Sequence, residues 1–265
     1  QYRIGNCYET GKGIVKNIKK AIEWYKKAAE QGHIKAIEII GDYFYSNQKY
    51  EESIKYLKKA AEFGIEGAQY KLGNCYETGK GGELNYNKAF YWYGKVVDLE
   101  KEELQIDQTS FPNFSKLKKT LSLEHIEALF KVGEFYELGT GITKDSYKTF
   151  YWYEKAAEQG HIEAQYKLGS LYENIRENKN LYEKIKEEKE VFLINSTIKS
   201  LSYYRTFFRE NNFENEKIAF DWYKKAAEQG HIETQYKLGE FYEEGKGTEQ
   251  NYTEAFYWYK KVIAT

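Results

Sequence analysis

Apolar and polar positions along this chain follow the period of a helix, and one pattern keeps returning. Around residue 168 the apolar face is set by Tyr166, Leu168 or Gly169, and Tyr172. Around residue 222 it is set by Phe220, Tyr223 or Lys224, and Ala227. Such spacing places one side of each segment in a core and predicts amphipathic helices. Two anchors fix the register. One is an apolar residue followed by glycine, at Gly5, Gly41, Gly73, Gly133, Gly169 and Gly239. The other is an aromatic followed by Tyr or Leu, at Trp24, Tyr56, Trp92, Trp152, Trp222 and Trp258. They alternate strictly, and the uninterrupted glycine-to-glycine period is 36, as from Gly133 to Gly169. Residues 152–169 and 222–239 share sixteen of eighteen positions. The chain is therefore a series of internal repeats, each predicted to be two helices.

The glycine falls in mid-helix, where it costs about 1 kcal/mol against Ala. Its recurrence predicts a place where two helices approach closely. Gly32, Gly160 and Gly230, in the recurring AAEQGH turn, sit where a helix wants a left-handed last residue. Paired glycines in YETGKG, YELGTG and YEEGKG punctuate the loop within each repeat. Three irregularities interrupt the pattern. The second repeat has a short loop, Ser46-Asn47-Gln48-Lys49, in place of the glycine loop. An extra stretch lies near 99–123, and a larger one, near 175–214, falls within repeat five. The apolar spacing of the latter predicts either a helical hairpin projecting ~25 Å from the array or a loop that folds against a partner. Gln1 aligns with Gln69, and neither end carries the polar cap a solenoid needs, so a fragment of a longer array is expected.

The residues A-x-Y-x-L-G-x-x-Y-E-x-G-x-G, followed by A-x-x-W-Y-x-K-A-A-E-x-G, recur over nearly the whole chain. They resemble the Sel-one-like repeat family, relatives of the tetratricopeptide repeats. Gln69, Gln165 and Gln235 stand where the tetratricopeptide consensus has Trp, and the period exceeds the tetratricopeptide value of about 34. Both features favour the Sel-one-like branch. The resemblance implies an all-α, right-handed superhelical solenoid of antiparallel helix pairs, about six repeats forming one array over residues 1–265, with a concave groove that holds partner proteins.

Charge and composition narrow the chemistry. Aromatic residues make up 18% of the chain, too many for a disordered one. The net charge of −1 leaves no basic excess for phosphates and argues against nucleic-acid binding. No apolar run is long enough to span a bilayer. The Gly-Lys-Gly loops lack the spacing and the Ser or Thr of a phosphate loop. His33, His125, His161 and His231 all fall at the same turn, too far apart to share a metal, and read as residues that start the next helix. Cys7 and Cys75 hold equivalent core positions, so both are expected to be buried as small apolar groups. They lie two repeats apart, too far to bridge. Glu9, Glu77, Glu137, Glu173 and Glu243 follow the same Tyr in their repeats and read as a surface ladder rather than a catalytic pair. No nucleophile–base arrangement can be argued, so no catalytic residue, metal or cofactor is expected. Sequons at Asn113, Asn195 and Asn251 read as chance occurrences in an Asn-rich chain. The tryptophans are expected to wedge between layers, with Trp152→Ala costing roughly 3–5 kcal/mol.

If the first helix of each pair lines the groove, as the tetratricopeptide resemblance implies, three positions per repeat face a ligand. They are Tyr70, Asn74 and Glu77; Phe130, Glu134 and Glu137; Tyr166, Ser170 and Glu173; and Tyr236, Glu240 and Glu243. This set is acidic and rich in Tyr, which predicts a protein or peptide partner carrying Lys or Arg. The resemblance implies a non-enzymatic scaffold or adaptor, with a regulatory or targeting arm of a larger, for example kinase-linked, enzyme as the alternative. The chain starts at Gln1 without a visible leader. The cytoplasm is the expected compartment, with the endoplasmic-reticulum lumen or secretion left open.

Overall fold

The computed structural model describes residues 1–99, 121–174 and 212–264. Among the described residues there are twelve helices and no strand. They run in pairs: α1 (Tyr2–Thr10) with α2 (Ile18–Glu30), α3 (Ile34–Ser46) with α4 (Tyr50–Glu62), and α5 (Glu66–Thr78) with α6 (Tyr86–Val96). Then follow α7 (Leu123–Leu138) with α8 (Ser146–Glu158), α9 (Ile162–Glu173) with α10 (Asn212–Glu228), and α11 (Ile232–Glu244) with α12 (Tyr252–Ile263). These are the six antiparallel pairs of an all-α repeat fold. The chain divides into two compact units, residues 1–99 with 140–142, and residues 100–139 with 143–265. The expected insertions near 99–123 and 175–214 fall almost wholly outside the described residues.

Local chemistry starts and stops each helix. Asn17, Asn85, Asp145 and Asn251 cap second helices by accepting backbone N–H bonds from Lys20, Lys88, Lys148 and Glu254. Asn251, whose sequon is read above as a chance occurrence, is a helix cap. His33, His161 and His231 cap first helices through Nδ1, which accepts from the N–H three residues on. His125 differs from its expected place: Ser122 caps α7, and His125 lies inside the first turn. Gly32, Gly64, Gly160 and Gly230 all take φ between 78° and 96°, the left-handed turn that the AAEQGH pattern predicts.

The core differs from the sequence expectation at the tryptophans and at one cysteine. Trp152 is fully buried and Trp258 nearly so, but Trp24, Trp92 and Trp222 are only half-buried. The side chain buried most consistently in second helices is the next residue: Tyr25, Tyr93, Tyr153 and Tyr223, with Leu57 in repeat two. Neighbouring positions on a helix point about 100° apart, so only one of the two can face the paired helix. The Tyr does, and the Trp lies to one side with a lysine three residues on stacked over its ring, as Lys27 is on Trp24 and Lys225 on Trp222. Cys75 is buried as expected, and burial pushes its thiol up to about 11. Cys7, expected to be buried too, is only partly so.

Candidate functional site

The first helix of each repeat carries the candidate positions, and the mid-helix glycine explains what surrounds them. A β-carbon at Gly73 would lie 2.8 Å from the Tyr93 ring, one at Gly133 2.6 Å from Tyr153, and one at Gly5 2.7 Å from Tyr25. The glycine makes room for the tyrosine ring of its own repeat. The ring then reaches past the first helix, and its hydroxyl donates to the glutamate four residues after the glycine. Tyr25 donates to Glu9 at 2.6 Å, Tyr93 to Glu77 at 2.6 Å and Tyr153 to Glu137 at 2.6 Å. Tyr223 donates to Glu173 and Tyr259 to Glu243, each at 2.7 Å. Burial, and then the adjoining carboxylate, push these hydroxyls well above the usual tyrosine range.

The glutamates are therefore not a solvated ladder. Each is one end of a clasp between the two helices of a repeat. Repeat two shows the coupling by its exception. Leu57 replaces the tyrosine and Tyr45 replaces the glutamate, so both ends of the clasp are absent together. Tyr45 instead donates to Asn74 at 2.8 Å.

The remaining candidates divide by exposure. In residues 1–99, Tyr70 and Asn74 are half-buried, Tyr70 against Tyr93 and Asn74 under the Tyr45 hydroxyl. In the second unit, Phe130 offers little surface. It is buried, stacked on His161 with ring centres 4.3 Å apart and lying against Tyr153. Tyr166 is half-buried beside His231 in the same way. Ser170 accepts from Asn174. Tyr236 is 51% exposed and Glu243 is exposed, while Glu134 and Glu240 are partly so.

Sequence reasoning missed the lysines on this face. Two residues before the glycine stand Lys71, Lys131, Lys167 and Lys237. Lys71 pairs with Asp42 of the preceding repeat at 2.6 Å, and Lys167 with Glu137 of the preceding repeat at 3.1 Å. Lys237 reaches both Glu173 at 3.5 Å and Glu240 at 3.3 Å, and Lys131 pairs with Glu134 at 2.9 Å. The signal that could have found them is their fixed offset, two before the glycine in four repeats. In the second unit the face holds the carboxylates of Glu134, Glu137, Glu173, Glu240 and Glu243 against the ammonium groups of Lys131, Lys167 and Lys237. It stays net acidic, but most of its charge is paired between or within repeats. Among the described residues no cluster of three or more His, Cys, Asp or Glu could hold a metal ion, and no helix is long and apolar enough to cross a membrane.

Comparison with known proteins follows the repeats. The Sel1 repeat family model matches residues 1–33, 41–63, 67–98, 126–161, 162–174, 213–231 and 232–262. A chitin synthase regulator of Saccharomyces cerevisiae is 25% identical over 98% of this chain and 32% of its own length. The eukaryotic elongation factor 2 kinase of Caenorhabditis elegans is 34% identical over 34% of this chain and 12% of its own length. The crystal structure of a Sel1 repeat protein from Oxalobacter formigenes superposes with a TM-score of 0.61 and 22% identity, over 99% of this chain and 60% of that one. The chain thus spans a third or less of the length of the curated relatives it matches.

Proposed function

The chain belongs to the Sel1 repeat family, and we propose that it acts as a non-catalytic adaptor that holds a partner protein in the groove lined by its first helices. The observation that carries this reading is the lysine–carboxylate lattice on that face. A face whose charges are paired across repeats, with half-buried tyrosines between them, offers both fixed hydrogen-bonding groups and rigid contact area. The excess of carboxylates over lysines in the second unit favours a segment carrying Lys or Arg. A role as regulator also fits the chitin synthase regulator, a relative matched over nearly the whole chain.

The test must spare the clasp. Replacing Glu77 or Glu137 by Lys would take the acceptor from the hydroxyl of a buried tyrosine, Tyr93 or Tyr153, and damage the fold. Tyr236→Ala, Glu134→Lys and Glu240→Lys alter exposed or half-exposed side chains and leave every tyrosine–glutamate bond in place. Affinity capture with the parent and with this triple variant, both checked for equal melting temperatures, separates the outcomes. Partners held by the parent and lost by the variant support the reading. The same partners on both sink it.

A second reading rests on the kinase relative: the array serves as the regulatory or targeting arm of a larger enzyme. A catalytic domain in the same reading frame, whose activity changes when the triple variant is introduced, is the outcome that reading requires.

A further inference from the structure

The glycine loops that join the two helices of a repeat meet solvent at the same positions, but one loop differs from the others in chemistry. Four residues after the first glycine of each loop stand Val15, Glu83, Thr143 and Glu249, and all are exposed. Tyr86, the first residue of α6, is 38% exposed, and its counterpart Ile18, the first residue of α2, is 43% exposed. Repeats three and six each follow another repeat within their own unit, and they still leave these positions open. The exposure therefore belongs to the loop and not to its place in the chain.

The loops of repeats three, four and six mix their charges. Lys88 pairs with Glu83 at 3.2 Å and Lys246 with Glu244 at 2.5 Å, and Asp145 stands in the loop of repeat four. The loop of repeat one does not. From Thr10 to Ile22 it carries Lys12, Lys16, Lys19 and Lys20 and no acidic residue. All four lysines are exposed, and among the described residues none of them makes an ion pair. Lys20 lies over the Tyr8 ring at 5.5 Å. Between the lysines stand Ile18 and, 88% exposed, Val15. The other loops hold a polar residue at the Val15 position.

We propose that residues 12–20 bind an anionic membrane surface, with Val15 and Ile18 entering the headgroup layer and the four lysines lying against lipid phosphates and carboxylates. Charge complementarity is the first argument. A cluster of unpaired ammonium groups without a neighbouring carboxylate is drawn to an anionic leaflet, and each lysine adds to the attraction. Shape is the second, and it favours a membrane over an acidic protein. The apolar groups stand out at the tip of a loop, where a lipid interface takes them in without a matching pocket. The lysine stems add apolar length around that tip while their ammonium groups stay among the headgroups. None of these residues is among the candidate groove positions, so the two contacts can be tested apart.

Co-sedimentation of the 265-residue chain with lipid vesicles tests this. Vesicles of phosphatidylcholine and phosphatidylserine in equal parts should carry the chain down, and phosphatidylcholine alone should not. Lys12→Glu with Lys16→Glu should weaken that binding on the order of a hundredfold. Lys55→Glu with Lys58→Glu makes the same charge change at exposed positions of α4 and should weaken it far less. Val15→Ser leaves the charge alone and should weaken it several-fold, because the apolar tip is lost. All five side chains are exposed, and equal melting temperatures check that each variant folds. A parent that stays in the supernatant overturns the proposal. Equal losses from the loop pair and the α4 pair overturn it too, because net charge and not the loop would then drive binding. So does a Val15→Ser variant that binds like the parent. Binding to soluble polyglutamate without retention on the mixed vesicles gives the loop to an acidic protein, and that also overturns it.

Discussion

The glycine, tyrosine and glutamate of each repeat act as one device, and their energies can be ordered by geometry. At Gly133 an added methyl gains about 1 kcal/mol of helix propensity but meets the Tyr153 ring at 2.6 Å. Overpacking of that kind costs about 1–3 kcal/mol, and the ring is pinned by Glu137, so the clash wins. At Gly41 the methyl comes within 3.3 Å of the flexible end of Leu57 and otherwise stands at ordinary contact distance, 3.5 Å, from the Leu57 nitrogen and the Tyr56 β-carbon, and the propensity gain wins. Thermal melts should show Gly133→Ala destabilised and Gly41→Ala neutral or stabilised; equal losses would contradict the clasp. The tyrosines also carry a pH signature. Folding raises the pKa of Tyr25, Tyr93, Tyr153 and Tyr223 above the unfolded value of about 10. Their contribution is therefore fully present below about pH 10 and is lost as pH rises above it, because the unfolded chain releases those protons first. Ultraviolet titration should show these tyrosines ionising together with unfolding; independent ionisation in the folded protein would rule this out.

Helix ends are joined by side chains whose types the sequence showed without their purpose. Gln165 donates to the carbonyl of Ala157 at the end of α8 and accepts from Gln229 beyond the end of α10. One buried amide thus ties three helices where a tetratricopeptide repeat has Trp. Gln69 and Gln235 make the same bond to Ala61 and Ala227. Gln165→Leu keeps the volume roughly and removes both bonds, so a loss of about 1–3 kcal/mol is expected in chemical denaturation. An unchanged midpoint would show that the amide is incidental. The helices themselves were legible because apolar period and turn glycine agree. The roles of Trp and Tyr were not, because adjacent residues on an amphipathic helix share the same sequence signal. What separates them is which one faces the glycine, a tertiary fact. The joint loss of tyrosine and glutamate in repeat two was the clue within the sequence.

At the scale of the molecule, repetition made the fold readable and half-concealed the site. Six helix pairs follow from the period alone. The candidate face was placed on first helices by resemblance, and its acidic character was overstated because the lysines two residues before each glycine were left out. Phe130 has little surface to give, and Glu77, Glu137, Glu173 and Glu243 serve the fold before any ligand. The face that remains is a strip of paired charges and tyrosines. Lysine acetylation footprinting with a captured partner bound tests it most directly, because lysines mark both sides of the helix pairs. The account predicts that Lys131, Lys167 and Lys237 become protected while Lys155, Lys225 and Lys261 on the second helices stay reactive. Protection of the second-helix lysines, with Lys131, Lys167 and Lys237 unchanged, would contradict it.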